Sequence, residues 1–203
     1  MKIVRRRMAV LAIVLTSGLA IVDAQTSQRG GAATPPARGR SQATPGSSTT
    51  AAAPVIVFET AKGNFEIETY PAEAPKSVEH IVALVKRNFY NGQRVHRIVP
   101  GQLVQLGDPL SRDMTKREFW GTGGSNRPIG VGEMSPKHRH VAGAVSLAHP
   151  GDPKQADSQM FIMFAAQPKY DGGFTVFGHV TTGMDVVRKL AMNDIIRRVR
   201  IKS

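Results

Sequence analysis

The chain has 203 residues and a mass of 21.9 kDa, which suits one ordinary domain with appendages, because a second core would need roughly another 100 residues. It contains no cysteine, which excludes a disulfide scaffold, a zinc finger, thiol catalysis and a lipid-modified N-terminal cysteine. The net charge of +12 suggests an anionic partner, but residues 1–54 hold seven basic residues and one aspartate, so half of that charge lies outside any plausible domain.

The first 24 residues are typical of a secretory signal peptide. A basic head at Lys2 and Arg5–Arg7 is followed by an apolar run from Met8 to Val22, and Val22-Asp23-Ala24 fits a small-x-small cleavage pattern. The apolar run is shorter than the roughly 20 residues that a membrane-spanning helix needs, so an uncleaved anchor is the weaker alternative. We expect cleavage after Ala24, a periplasmic or secreted location in a bacterium, and no stable membrane insertion afterwards.

Residues 25–54 form a segment rich in Pro, Gly, Ser, Thr and Ala without any large apolar side chain. Such a segment cannot bury enough surface to offset the entropy that ordering costs. We therefore expect a disordered linker. Its three arginines leave open an alternative in which the linker touches anionic lipid or cell-wall polymer.

The composition changes at Val55, where we expect a folded domain that extends to residue 203. Two alternating runs, VIVFET and NFEIET, are separated by Ala61-Lys62-Gly63, which predicts an antiparallel hairpin. The segment that follows has Pro75 near its first turn and apolar residues at helical spacing. This pattern predicts one amphipathic helix, whose apolar positions are Val78, Ile81, Val82 and Val85.

Five short apolar runs follow the turn signal Asn91-Gly92 and predict strands, because Gly, Pro and Asp clusters divide them. They are RVHRIV, GQLVQLGD, AVSLAH, SQMFIMF and FTVFGHV. MDVVRKLAM predicts a second short helix, and DIIRRVRIKS predicts a closing strand with alternating cations, which suit a sheet edge. We expect a mainly β fold, a closed antiparallel β-barrel of about eight strands capped by two α-helices, because closure removes exposed edges.

Three groups of residues have the composition of chemical sites, but their context argues against each of them. His138 and His140 have no acidic residue or further histidine nearby in sequence, so we expect solvated surface or simple hydrogen bonds rather than a metal site. The Gly-rich stretch 121–132 lacks the Lys-Ser/Thr ending of a phosphate loop, which indicates a mobile surface loop. Residues 146–152 contain a serine, a histidine and an aspartate but no Gly-x-Ser-x-Gly elbow, so we discount a hydrolase triad.

Three segments carry a more specific signal. VHRIVPGQLVQLGD at 95–108 is similar to the pattern Phe-His-Arg-(Ile/Val)-Ile-Pro-Gly-Phe-Met-x-Gln-Gly-Gly-Asp. GAVSLAHPGDPKQADSQMFIMF at 143–164 and YDGGFTVFGHV at 170–180 are similar to Gly-x-(Leu/Val)-Ser-Met-Ala-x … Ser-Gln-Phe-Phe-Ile and Leu-Asp-Gly-x-x-x-Val-Phe-Gly-x-Val. In these motifs the chain resembles the cyclophilins, the family of peptidyl-prolyl cis-trans isomerases. The hairpin and first helix also fit, so the resemblance covers residues 55 to about 192 in order and implies a cyclophilin-like barrel.

The resemblance implies catalysis of rotation about X-Pro bonds. Amide resonance opposes this rotation with a barrier near ~20 kcal/mol, and no covalent bond has to break. A catalyst therefore needs an apolar recess for the pyrrolidine ring and a cation that stabilises the twisted amide. Arginine stays protonated and presents rigidly forked donors. Arg97 matches the family's catalytic arginine, and we expect it to be the catalytic residue.

Nine further positions match the family's peptide-binding surface. Gln105 matches the glutamine that supports the arginine, and Phe161 matches the aromatic floor of the proline recess. Some positions depart from the family's usual residues, since Gln102 replaces a Phe and Lys169 lies where many members have Trp, which leaves part of the apolar wall polar or reshaped. The expected substrate-binding residues are Gln102, Leu103, Gln105, Ala148, His149, Gln159, Phe161, Tyr170 and Phe174.

The resemblance also implies the partners. The reaction moves no electrons, groups or protons, so we expect no cofactor and no metal. We expect a monomeric isomerase that binds proline-containing unfolded or extended polypeptides and assists the folding of exported proteins, with no nucleic acid as partner. The departures at Gln102, Leu103 and Lys169 favour an alternative, a catalytically weak proline-peptide-binding chaperone or adaptor module. Binding of an anionic polymer through the linker and the C-terminal RRVRIK is a third hypothesis.

Overall fold

The computed structural model describes residues 52–203. The predicted signal peptide and nearly all of the predicted linker lie outside the described residues. Eight strands and two α-helices follow one another, with four short 3-10 helices between them, at Pro109–Arg112, Met114–Phe119, Pro153–Gln155 and Pro168–Tyr170. In chain order the strands and α-helices are β1 (Val55–Thr60), β2 (Gly63–Thr69), α1 (Pro75–Lys86), β3 (Arg97–Val99), β4 (Leu103–Leu106), β5 (Ala144–Leu147), β6 (Met160–Met163), β7 (Val176–Thr182), α2 (Met184–Lys189) and β8 (Ile196–Ile201).

The strands form a single curled antiparallel sheet in the order β3-β4-β6-β5-β7-β2-β1-β8. The predicted mainly β fold with two α-helices is therefore present, but the expected closed barrel is wrong, because β3 and β8 are edge strands that do not pair along their lengths. Near the two ends, the segments before β3 and β8 share one isolated bridge from Arg94 to Ile195 and the backbone hydrogen bonds around it, but no ladder joins β3 to β8 within residues 52–203. β3 has only three residues and is followed by Pro100, which has no N–H to extend a ladder. The sheet consequently stays open.

The first hairpin forms where the sequence predicts it. β1 and β2 pair in register up to Thr60 opposite Gly63, and Ala61 and Lys62 make the turn. Gly63 has a φ of 126°, a conformation that favours glycine. The Thr60 hydroxyl donates to the Gly63 carbonyl at 2.7 Å and accepts from the Lys62 N–H at 3.1 Å, which closes the turn.

Both helices pack one apolar face against the sheet. α1 begins at Pro75, where the missing N–H costs no hydrogen bond, and contacts β8, while α2 contacts β2. Burying one such aliphatic side chain contributes about 1.5–3 kcal/mol. Neither helix within residues 52–203 has the length and apolar character that crossing a membrane would demand. The buried apolar residues of α1 are Val78, Ile81, Leu84 and Val85, with Val82 at the margin.

Side chains on the central strands alternate between two apolar clusters, because successive residues of a strand point to opposite faces. On β6, Met160 and Ile162 join the main core beneath the helices, whereas Phe161 and Met163 face the other way. The second cluster lies on that outer face and is where the motif residues gather. Its members are Leu103, Ala144, Phe161, Met163 and Val176, with Tyr70, Val99, Ala148, Tyr170 and Phe174 packed against them.

β8 carries the alternating cations at the edge of the sheet, as the sequence predicts. Two of the cations that close the chain are paired across the sheet. Arg200 Nε donates to Glu59 Oε1 at 3.0 Å, and Lys202 Nζ donates to Glu66 Oε2 at 2.7 Å. These pairs reduce the positive charge that the closing strand offers to an anionic polymer.

Candidate functional site

The register of four adjacent strands brings the motif residues into one row. Arg97 on β3 lies opposite Gln105 on β4, Gln105 lies opposite Phe161 on β6, and Phe161 lies opposite Ser146 on β5. Directly opposed residues of antiparallel strands point to the same face of the sheet. The predicted catalytic arginine, its supporting glutamine and the predicted aromatic floor therefore share the outer face.

A chain of hydrogen bonds links the arginine to the backbone of the Gly-rich segment. Arg97 Nη1 donates to Gln105 Oε1 at 3.0 Å, and Gln105 Nε2 donates to Gln159 Oε1 at 2.9 Å. Gln159 Nε2 in turn donates to the carbonyls of Gly121 at 2.9 Å and Gly123 at 2.8 Å. Each amide accepts at its oxygen and donates at its nitrogen, so the orientation of both glutamines is set. Arg97 is exposed, so its other N–H donors are accessible to a ligand or to solvent.

His96 lies next to the arginine in sequence and is almost fully buried. Burial lowers the pKa of His96, and the neighbouring Arg97 adds to this effect while Asp108 opposes it. The imidazole is therefore neutral at pH near 7. His96 consequently adds no positive charge next to the guanidinium of Arg97.

Three aromatic rings pack together beside this row, where the sequence predicts the proline recess. The ring centroid of Phe161 lies 5.8 Å from that of Tyr170 and 5.3 Å from that of Phe174, and Tyr170 and Phe174 are 5.5 Å apart. Both pairs with Phe174 are edge-to-face, the arrangement that the charge distribution of aromatic rings favours. Phe161, the predicted floor of the recess, is 4% exposed, and Leu103 packs in the same cluster.

The remaining predicted residues lie at the rim. Lys169 Nζ donates to Gln102 Oε1 at 3.1 Å and lies 5.1 Å from the centroid of the Tyr170 ring. His149 Nε2 is 2.9 Å from the Gly173 carbonyl, so this nitrogen carries the proton, and its ring centroid is 4.5 Å from that of Phe174. The two positions that depart most from the family's residues thus contact each other across one side of the recess.

A cavity of about 820 Å³ adjoins the row on the side of the two glutamines. The Gly-rich stretch forms a wall of this cavity. The sequence predicted a mobile surface loop here and did not predict that it would line a cavity. The Asp108 carboxylate accepts hydrogen bonds from the N–H groups of Gly121 and Gly123, and a Cβ atom at Gly123 would overlap that carboxylate. The lining residues are Gln105, Gly121, Thr122, Gly123, Gly124, Asn126, Pro128, Ala148, His149, Pro150, Gln155, Asp157 and Gln159.

The two histidines of KHRHV lie in different environments. His138 stacks on Tyr70 with centroids 3.8 Å apart, and its Nε2 is 3.5 Å from a Glu73 carboxylate oxygen. His140 is buried rather than solvated, and it makes the simple hydrogen bond that was the other half of the expectation, to Asp171. No group of three or more potential ligands within residues 52–203 is placed to hold a metal ion.

The serine, histidine and aspartate of residues 146–152 do not form a triad. Ser146 Oγ is buried without a hydrogen-bond partner in the described part of the chain, and the His149 ring bonds the Gly173 carbonyl instead. The sequence singled out His140 but indicated no role for it at this site.

Comparison with known proteins agrees with this geometry. A family model described as cyclophilin type peptidyl-prolyl cis-trans isomerase/CLD matches residues 55–203. The chain is 40% identical over 138 residues to a probable peptidyl-prolyl cis-trans isomerase of Brucella suis, which covers 66% of this chain and 70% of that protein. It is 36% identical over 137 residues to peptidyl-prolyl cis-trans isomerase B of Bacillus subtilis, with 68% and 90% covered.

Solved structures show the same fold. A Cryptosporidium parvum cyclophilin type peptidyl-prolyl cis-trans isomerase superimposes with a TM-score of 0.65 at 23% identity, covering 74% of this chain and 98% of that chain. A second structure of that protein, determined in the presence of the dipeptide Ala-Pro, has a TM-score of 0.65 at 22% identity and covers 73% and 99%. At such low identity these superpositions establish the fold alone.

Proposed function

This chain belongs to the cyclophilin-type peptidyl-prolyl cis-trans isomerase family, and we propose that it accelerates X-Pro rotation through Arg97, with the proline ring seated in the recess floored by Phe161. The single observation that carries this proposal is the strand register, which aligns Arg97, Gln105 and Phe161 on one face. A peptide lying along this row would have its proline ring on the aromatic side and its backbone beside the guanidinium.

The arginine acts on the twisted amide rather than on the planar one. When the X-Pro bond rotates, the nitrogen lone pair leaves conjugation with the carbonyl and can accept a hydrogen bond. A guanidinium N–H that donates to this nitrogen favours the transition state over both planar isomers. A charge-assisted hydrogen bond contributes about 1.5–3 kcal/mol, which corresponds to a rate gain of about 10- to 150-fold.

Gln105 makes this donation more effective. Its carboxamide oxygen holds Arg97 Nη1, and Gln159 holds the carboxamide in turn, so the guanidinium loses less freedom when substrate binds. Lysine at position 97 would supply the charge but not the planar fork that can bind glutamine and amide together. The mechanism therefore depends on the shape of arginine as well as its charge.

The substrates that fit this site are extended proline-containing polypeptides, since an open sheet face accepts a segment of chain. Membership of the peptidyl-prolyl cis-trans isomerase family supports this class. The sequence of residues 1–24 supports export, so we place the activity on secreted proteins outside the bacterial cytoplasm, with the enzyme acting as a monomer. N-terminal sequencing of the mature protein from a periplasmic or culture fraction should begin at Gln25, and an intact Met1 would contradict cleavage.

The test is an NMR exchange experiment on a short Ala-Pro peptide with the wild type and Arg97→Ala. We expect the substitution to lower kcat/KM at least about tenfold, with Arg97→Lys intermediate. Arg197→Ala removes an exposed arginine from β8, at the opposite edge of the sheet, and should leave kcat/KM unchanged. Equal rates for wild type and Arg97→Ala would refute the assigned role.

One observation favours the second candidate, a proline-peptide-binding module with weak turnover. The hydrogen bond between Lys169 and Gln102 places polar groups at a rim where the recess would otherwise be apolar, which reduces the apolar surface offered to a proline ring. The same NMR samples separate the two functions. Binding shifts without any acceleration of exchange would favour the binding module.

A further inference from the structure

His140 packs against the three aromatic rings of the predicted recess and has no role assigned above. Its side chain is 1% exposed. Its ring centroid is 5.9 Å from that of Phe161, 5.8 Å from that of Tyr170 and 6.3 Å from that of Phe174. One imidazole therefore contacts all three rings that form the recess.

A single carboxylate oxygen sets the orientation of this imidazole. Asp171 Oδ1 accepts from the backbone N–H of His140 at 2.8 Å and lies 2.9 Å from Nδ1. These two hydrogen bonds, the backbone one first, lower the pKa of Asp171, so the carboxylate is ionised and Nδ1 must be the donor. Nε2 is buried without a partner among residues 52–203. The imidazole plane is held within 15° of the Phe161 plane.

The same contacts tie the segment 167–174 to the chain that leads into β5. The Gln167 N–H donates to the His140 carbonyl at 2.8 Å, and Asp171 directly follows Tyr170. Two glycines, at positions 172 and 173, then separate Asp171 from Phe174. Glycine gives this connection more backbone freedom than any other residue, so the position of Phe174 depends on the anchor at Asp171.

We propose that His140 is a positioning residue of the isomerase site, and that its hydrogen-bonded pair with Asp171 holds Tyr170 and Phe174 in the arrangement that receives the proline ring. The inference rests on the proposed function, because it takes the recess to be the proline site. It assigns His140 to substrate binding and not to bond rotation, since neither Arg97 nor Gln105 contacts it. Loss of the pair should therefore raise KM while kcat is largely kept.

The experiment compares His140→Leu with His140→Asn in the full-length protein. Leucine removes the donor, whereas the Asn side-chain amide places an N–H close to the position of Nδ1 and can still bind Asp171. In NMR exchange with an Ala-Pro peptide we expect KM to rise about tenfold for His140→Leu, with kcat within about twofold of wild type. His140→Asn should recover most of the loss. His138→Leu, two residues earlier and stacked on Tyr70, is the matched control and should leave both constants unchanged.

The ring resonances of Tyr170 and Phe174 supply a readout that is independent of turnover. They should shift in Asp171→Ala, which keeps the imidazole ring, and not in His138→Leu. If His140→Leu does not fold, Asp171→Ala removes the same bond from its partly exposed partner and should raise KM in the same way.

Three results would overturn the proposal, namely an unchanged KM in a folded His140→Leu or Asp171→Ala, a fall in kcat at constant KM, or an Asn variant as impaired as the Leu variant. Failure of the Arg97 mechanism would appear instead as full kcat/KM in Arg97→Ala. The two ideas are therefore refuted by different variants.

Discussion

The hydrogen-bond chain from Arg97 to the Gly-rich wall can be broken at its last side chain with Gln159→Leu. Leucine has a similar volume but removes three hydrogen bonds, one accepted from Gln105 and two donated to the carbonyls of Gly121 and Gly123. Arg97 itself and its bond to Gln105 remain. This substitution therefore tests whether the hydrogen bonds of Gln159, which are the farthest from Arg97, contribute to catalysis.

The structure allows the size of both effects to be worked out. Gln159 is partly exposed, so water can replace some of the lost partners and each bond contributes about 0.5–1 kcal/mol. The free energy of unfolding should fall by about 1.5–3 kcal/mol, which lowers Tm by about 3–12 °C for a domain of this size. Without Gln159 the Gln105 amide can rotate freely and holds Arg97 less firmly. If this loss equals about one hydrogen bond, about 1 kcal/mol, kcat/KM should fall about fivefold.

Thermal unfolding and NMR exchange on the same preparations measure the two effects. Gln105→Leu is the comparison variant, because it removes the bond to Arg97 directly and should lower kcat/KM further than Gln159→Leu does. If Gln159→Leu keeps the full kcat/KM while its Tm falls as expected, then the hydrogen bonds of Gln159 stabilise the cavity wall but do not position Arg97. That result would refute the reasoning.

Two further predictions concern stability. Burial lowers the pKa of His96, so below about pH 6.5 the unfolded chain binds a proton that the folded chain does not, and the free energy of unfolding should fall from about pH 7 to about pH 5. Urea unfolding at several pH values measures how steeply the free energy of unfolding depends on pH. His96→Leu should reduce this dependence, while the similarly lowered pKa of His179 leaves part of it. An unaltered dependence in His96→Leu would contradict the assignment. Gly101 and Gly107 both have positive φ, 70° and 105°, but a Cβ meets nothing within 4 Å at Gly101 and would overlap the Ser158 carbonyl at Gly107. Gly101→Ala should lower the free energy of unfolding by about 1–2 kcal/mol, and Gly107→Ala should lower it by about 3 kcal/mol or more. Equal urea midpoints for the two variants would contradict this prediction, because they would show that the crowding at Gly107 is relieved.

Several elements were predictable because their causes are local. The alternation of VIVFET and NFEIET and the turn between them produced β1 and β2 at the expected positions. The helical spacing after Pro75 produced α1, although Leu84 was not among the apolar residues chosen. The resemblance of the motifs at 95–108 and 143–164 to the cyclophilins marked Arg97, Gln105 and Phe161, which the register brings together.

Other features needed distances between residues far apart in sequence. The sequence could not show that the sheet remains open, since closure depends on whether β3 and β8 meet along their lengths. The sequence predicted solvated surface or simple hydrogen bonds for His140, but nothing near it in sequence indicates that Asp171 is its partner. The Gly-rich stretch was taken for a plain loop because its partners, Asp108 and Gln159, come from other parts of the chain.

Periodicity and turn residues thus predicted the strands and the helices, because each depends on the chemistry of neighbouring residues in the chain. The residues proposed for the isomerase site came from the resemblance of three motifs to the cyclophilins. Tertiary structure alone decided the strand order, the cavity beside Gln105 and the burial of His140 under the aromatic rings. These depend on which distant segments pack together, and that choice follows from the apolar surface of the whole domain rather than from any single stretch of it.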